Sequence, residues 1–181
     1  MNASAQCVEA RPLVHLDLEP SAFAADWKHC DQVANYLARL ASFDRPDTFL
    51  YSNLLSTVLN ELLEVAFFHH QPPGTVRCTL LRHGAMDRIE LTIPVDEASR
   101  GFYKRGVADA QSNRVAELYA SSLLGDRPLD RSIGFLELAA DYGARISLNG
   151  EDRDNAVTLS VDLRLDEGLP QTANPASSPS R

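Results

Sequence analysis

The sequence predicts an α/β (α+β) two-layer sandwich, a mostly antiparallel sheet with helices on one face. Three observations lead there. The elements run β-α-α-β-β-α-α-β-β, so helices come in pairs between β-hairpins, which suits helices stacked on one side of a sheet. The segment Leu54 to His70 reads as a helix that is apolar over most of its circumference, and such a helix is largely buried. At 181 residues and 44% hydrophobic content, the chain can bury a core of one-domain size.

The elements follow in order. Residues 1–11 read as a flexible start to a domain spanning 12–166. Pro12 to Glu19 alternates loosely and reads as a strand that Pro20 ends. Asp26 to Phe43 reads as a helix with Trp27, Cys30, Val33, Ala34, Leu37 and Leu40 on one face. Arg45-Pro46 breaks it, and Asp47 or Thr48 caps the long apolar helix. Gln71-Pro72-Pro73-Gly74 stops that helix. Thr75 to Leu81 and Arg88 to Val95 form a hairpin around His83–Asp87. Arg100 to Leu124 is helical in its second half, where Val115, Leu118, Tyr119 and Leu123 recur. Asp126 to Asp130 is a loop and Ile133 to Tyr142 a helix, with Gly143 as a left-handed cap. Arg145 to Leu148 and Ala156 to Leu165 make a second hairpin. Residues 167–181, rich in Pro, Ser and Ala without periodicity, read as a disordered tail.

Charge and motifs narrow the function. A net charge of −8, with Lys28 and Lys104 the only lysines, argues against nucleic acid, whose phosphates require a basic surface. It argues equally against an anionic membrane surface, and no apolar run is long enough to span one. The N-terminus lacks the basic and apolar regions of a secretory signal, and Cys7, Cys30 and Cys78 lack metal-ligand or CxxC spacing; a cytoplasmic protein is expected. No phosphate loop, dinucleotide fingerprint, GxSxG elbow or HExxH occurs. His69-His70 are adjacent and cannot share a metal as i, i+4 ligands would.

One chemical lead remains. Asn53, Thr57, Asn60, Glu61 and Glu64 fall at i, i+4, i+7, i+8 and i+11, a single polar stripe on the apolar helix. Its carboxylates either face water or line a pocket.

That helix, Leu59-Asn60-Glu61-Leu62-Leu63-Glu64-Val65-Ala66, resembles the N-box of the GHKL (histidine-kinase-like) ATPase fold. Ser132-Ile133-Gly134-Phe135-Leu136-Glu137-Leu138, running on through Gly143 into Arg145–Leu148, resembles that family's second glycine box and following strand. More narrowly, the chain looks like the anti-sigma-factor-kinase-like regulators of bacterial partner switching, including the SiaB-like group. The resemblance covers roughly residues 12 to 165. It implies that Glu61 is the base that activates a serine or threonine on a STAS-type or response-regulator-type partner. It implies a nucleotide site around Asn60, Glu64, Asp96 and Gly134, and it admits a homodimer.

The departures from the family pattern are specific. Val65 stands where the Mg²⁺-binding asparagine belongs, and an apolar side chain cannot ligate a hard cation. Asp96 could serve as the adenine-reading aspartate, but the spaced glycines after it are missing. Gly134 lacks the neighbouring glycines that let backbone amides approach phosphate. Glu64 adds negative charge where a triphosphate would sit. The expectation is a pseudokinase-like signalling regulator that holds a protein partner and needs no cofactor or metal. The alternatives are an active ATP- and Mg-dependent serine/threonine kinase, and a structural domain whose stripe faces solvent.

Overall fold

The computed structural model describes residues 10–26, 28–68, 73–125, 131–150 and 155–165. Among these residues, five strands and six helices follow in chain order: β1 (Arg11–Leu18), α1 (Pro20–Ala25), α2 (Lys28–Ser42), α3 (Thr48–Phe68), β2 (Val76–His83), β3 (Met86–Pro94), α4 (Glu97–Ala110), α5 (Val115–Leu124), α6 (Ile133–Asp141), β4 (Arg145–Asn149) and β5 (Ala156–Leu163). The sheet order is β1-β2-β3-β5-β4 and every pairing is antiparallel. This is the two-layer architecture the sequence predicts.

Period-two alternation decides which sheet face is covered. Val76, Cys78 and Leu80 of β2, Ile89, Leu91 and Ile93 of β3, and Val157, Leu159, Val161 and Leu163 of β5 are buried. The opposite face carries paired polar side chains. Arg88 grips its cross-strand partner Asp162 through two bonds of 2.6 and 3.0 Å, and Thr92 meets Thr158 at 3.2 Å. Against the covered face lies α3, whose Leu55, Val58, Leu59, Leu62 and Leu63 are fully buried. The Asp47 carboxylate caps its N-terminus by accepting from the Leu50 amide at 2.9 Å. α2 packs on α3 through Cys30, Ala34, Leu37, Ala38 and Ala41.

Three predicted boundaries change. Pro20 ends β1 and also opens the short helix α1, where its missing N–H costs nothing. The first half of the 100–124 segment is helical as well: α4 begins at Glu97 and runs to Ala110. The first hairpin is tighter than expected, with β2 and β3 joined at Gly84-Ala85 and Gly84 at φ +62°. Gly143 has φ +61°, and the Ala144 amide then bonds back to the Leu138 carbonyl at 3.0 Å, so the left-handed cap stands. Trp27, His69-His70, the Asp126–Asp130 loop, the start of the chain through residue 9 and the tail from residue 166 lie outside the described residues.

Candidate functional site

The polar stripe of α3 divides along its length. Asn53 and Thr57 are exposed, whereas Asn60, Glu61 and Glu64 are half-buried. The cause is α6, which crosses the stripe at Gly134. A Cβ at that position would sit 3.0 Å from Val65 Cγ2 and 3.4 Å from Glu61 Oε2, so any side chain there would make its neighbours give by a few tenths of an ångström. Val65 itself is 2% exposed.

Asn60, Glu61, Glu64 and Gly134 are therefore brought together. Asn60 Nδ2 donates to Glu64 Oε1 at 2.8 Å, while the buried Asn60 Oδ1 finds no partner among the described residues. Arg131, just before α6, reaches Glu64 Oε2 at 3.4 Å and lays its guanidinium 4.9 Å over the Phe68 ring. Asp96 stands elsewhere, at the N-terminus of α4. Its carboxylate accepts from the Ser99 amide at 2.8 Å, and that bond holds its pKa below the usual carboxylate range.

Four further groups complete the site. Glu137 and Asp141 project from α6, one turn apart, and Tyr119 and Tyr142 close around them. Thr57 lies near Tyr142, and Asp141 near Tyr119. Sequence reasoning missed this half. The i, i+4 acidic spacing on α6 was readable, but nothing local ties it to a stripe some seventy residues earlier.

Burial is the largest influence on Glu61 and raises its pKa to about 6. Glu137 and then Glu64 add to the rise, and Arg131 opposes it. Burial, then Asp141, also raises Glu137. Burial and the same carboxylates push the Tyr119 hydroxyl up to about 12 and raise Tyr142 as well. A carboxyl that titrates near neutrality can hold or release a proton at working pH, which a general base requires. Among the described residues no group of three or more His, Cys, Asp or Glu side chains is placed to hold a metal ion. Cys30 and Cys78 are buried and free, and burial pushes both thiols up to about 12, which keeps them unreactive. No described helix is long and apolar enough to cross a membrane.

No family model and no curated protein matches the chain. Among solved structures, it is similar to a chain in the crystal structure of the SiaB-SiaC complex from Pseudomonas aeruginosa, with a TM-score of 0.54 and 14% identity. The match covers 84% of this chain and 90% of that one. At that identity the likeness is one of fold, and it extends over nearly the whole of both chains.

Proposed function

We propose that this chain is a cytoplasmic bacterial signalling regulator of GHKL type, which works by holding a protein partner in a partner-switching pathway and does not turn over ATP. The observation that carries the reading is the whole-length fold likeness to a chain of a two-protein complex, the SiaB-SiaC complex. It agrees with the partner-switching family that the motifs around Glu61 and Gly134 resemble. The partner class we infer is a STAS-type or response-regulator-type domain.

The pseudokinase part rests on the surroundings of Glu61. A Mg-bound triphosphate needs a hard oxygen or amide ligand, backbone amides free to approach phosphate, and positive charge nearby. In place of the ligand stands Val65, packed against α6. Glu61, Glu64 and Glu137 gather beside it, with Arg131 as the cation acting on Glu61. Asp96 spends its carboxylate on a helix cap. Each feature disfavours a polyanion, and none disfavours a protein partner, whose affinity comes from a few buried anchors. The second reading, an active serine/threonine kinase with Glu61 as base, is favoured by one observation: a Glu61 pKa of about 6 suits proton abstraction from a hydroxyl.

A pull-down and a phosphotransfer assay on the same candidate partner separate the two. A stable complex without phosphate transfer is expected. Phosphorylation that disappears in Glu61→Ala would establish the kinase instead. Neither complex nor transfer with any STAS-type or response-regulator-type candidate would leave a structural domain.

A further inference from the structure

Three helices meet at the Glu61 cluster, and they are seated unequally. α3 forms the floor with its buried leucines. α6 is anchored by Phe135 and Leu138, both wholly buried, and the Phe135 ring packs beside Phe102 and Tyr103 of α4. α5 has no such anchor. Val115, Leu118, Tyr119 and Ser122 recur at i, i+3, i+4 and i+7, one helical face, and each is only partly buried. No side chain of α5 is fully buried, and Leu123 and Leu124 at its end are 54% and 87% exposed. A helix with so few buried contacts opens locally before its neighbours do.

What α5 covers is charge of mainly one sign. Burial, then Glu137, Asp141 and Glu61, push the Tyr119 hydroxyl up to about 12, so this one side chain of α5 faces all three carboxyls. Glu61 and Glu64 come from α3, Glu137 and Asp141 from α6, and Tyr142 follows α6. Arg131 is the cation acting on Glu61, and it also holds Glu64 at 3.4 Å. The remaining neighbours add no titration near neutrality. From α2, Cys30 senses Glu64, but burial pushes its thiol up to about 12. From α4, the Tyr103 hydroxyl donates to the Ala66 carbonyl at 3.4 Å, and burial raises it too. β4 turns Arg145 away to Met86 of β3. Carboxyls crowded into one partly desolvated site keep a proton between them, because full ionisation costs more there than in water.

We propose that this proton works a latch: while the Glu61–Glu137 pair holds it, α5 stays closed over α6, and when it leaves as pH rises, the freed charge loosens α5 and admits water to the cluster.

Glu61 sets the direction. Its pKa in the closed state, about 6, lies above the ordinary 4.5 that water restores. The closed state therefore binds the proton more tightly, so closure is strongest at low pH and weakens as pH rises through this window. Complete recovery of the ordinary value would change the opening equilibrium by about thirtyfold. Partial exposure and screening bring the expected change to about fivefold. Glu137, raised by burial and then by Asp141, acts in the same direction. The latch shares Glu61 with the functional reading above but needs neither a partner nor a nucleotide, and its test uses neither.

That test is amide hydrogen exchange on the full chain, read by mass spectrometry as protection factors at about pH 5 and about pH 7.5. Protection of α5 is expected to fall about fivefold at the higher pH, beyond any change in β2 and β3. Glu61→Gln keeps a neutral side chain at every pH. Its α5 should be as protected at the higher pH as that of the natural chain is at the lower. Glu137→Gln should likewise shrink the pH dependence, and it makes the same comparison if circular dichroism shows Glu61→Gln unfolded. Protection of α5 that ignores pH would overturn the latch. A fall that persists in both variants would overturn it as well, because another group would carry it. So would an equal fall in β2 and β3, which would be a loss of global stability and not a local opening.

Discussion

Asp87 and Glu61 are both carboxylates packed beside α3, the first against Tyr51 near its start, the second on its stripe. Their surroundings are opposite. Asp87 is 1% exposed and fully matched. Arg82 grips it through bonds of 2.8 and 3.0 Å, Arg45 donates at 2.9 Å, and the Tyr51 hydroxyl donates to the second oxygen. Arg82 also bonds Asp44 and the Ala41 carbonyl, and Asp87 and Asp44 keep it charged against the desolvation that opposes it. Two cations meet two anions. Around Glu61, by contrast, Glu64 and Glu137 gather, with Asp141 beside Glu137; among the described residues one guanidinium, that of Arg131, faces them, and an acceptor oxygen of Asn60 finds no partner. The first cluster ties the α2–α3 turn to the β2–β3 hairpin and gains stability from being complete. The second is held together at a cost, and such clusters are where binding or chemistry is concentrated.

The contrast breaks most visibly at Asp87. Asp87→Ala strips two buried arginines of their shared partner, and a half-broken buried ion network typically costs about 3–5 kcal/mol. Urea unfolding should show that loss with an unchanged slope. A loss well under 1 kcal/mol would mean that water reaches the arginines and that the cluster is not the latch described.

The next effect lies at Gly134. Gly134→Val inserts side-chain atoms where a Cβ alone already meets Val65 at 3.0 Å. Overpacking of this kind costs about 1–3 kcal/mol. It should also push α6 from α3, wet Glu61 and lower its pKa towards the ordinary value, which carboxylate NMR titration would follow. An unmoved Glu61 would show that its shift does not come from α6.

Glu61 sharpens the contrast from the other side. Its pKa is raised in the folded state, from 4.5 to about 6. Between those values the native state binds more protons than the unfolded one, so stability falls as pH rises through this window and stays lower above it. Half-burial and screening reduce the effect to about 1 kcal/mol. Glu61→Gln should therefore stabilise the protein at neutral pH and do nothing below the ordinary carboxylate range. Asp87→Ala is expected to destabilise at both. A neutral-pH loss in Glu61→Gln would place Glu61 among the stabilising charges, with Asp87.

How much of this was readable depends on where the partners lie in sequence. The long helix, both hairpins and the Gly143 cap rest on local pattern, and these elements are present. α4, which fills the first half of the segment read as helical only in its second half, carries Gly101 and Gly106, residues that weaken a helical pattern. The structure gives the reason for Gly106: a Cβ there would fall 2.4 Å from the Phe135 ring, so the glycine sets the approach of α6 to α4 and does not end a helix. The stripe residues Asn60, Glu61 and Glu64 were visible because one helix carries them. The Asp87 latch was invisible because Arg45 read as part of a helix breaker and Asp87 as a turn residue. Their meeting across 42 positions is a tertiary fact. Glu137 and Tyr119 escaped for the same reason.

The smallest effect concerns Asp96, and it decides between two roles that look alike in sequence. As a helix cap, Asp96 needs only a short side-chain oxygen that accepts from the Ser99 amide. Serine supplies one about equally well. Asp96→Ser should leave the melting temperature of the chain nearly unchanged, and Asp96→Ala should lower it slightly. An adenine reader needs a carboxylate, which serine cannot replace. Calorimetry with ATP and Mg²⁺ is expected to give weak or undetectable binding for the natural chain and for Asp96→Ser alike. Tight binding by the natural chain that Asp96→Ser removes would mean that the capping carboxylate also faces a nucleotide. The acidic cluster at Glu61 would then be the edge of a working ATP site, and its misfit charges would be part of catalysis, not the trace of its loss.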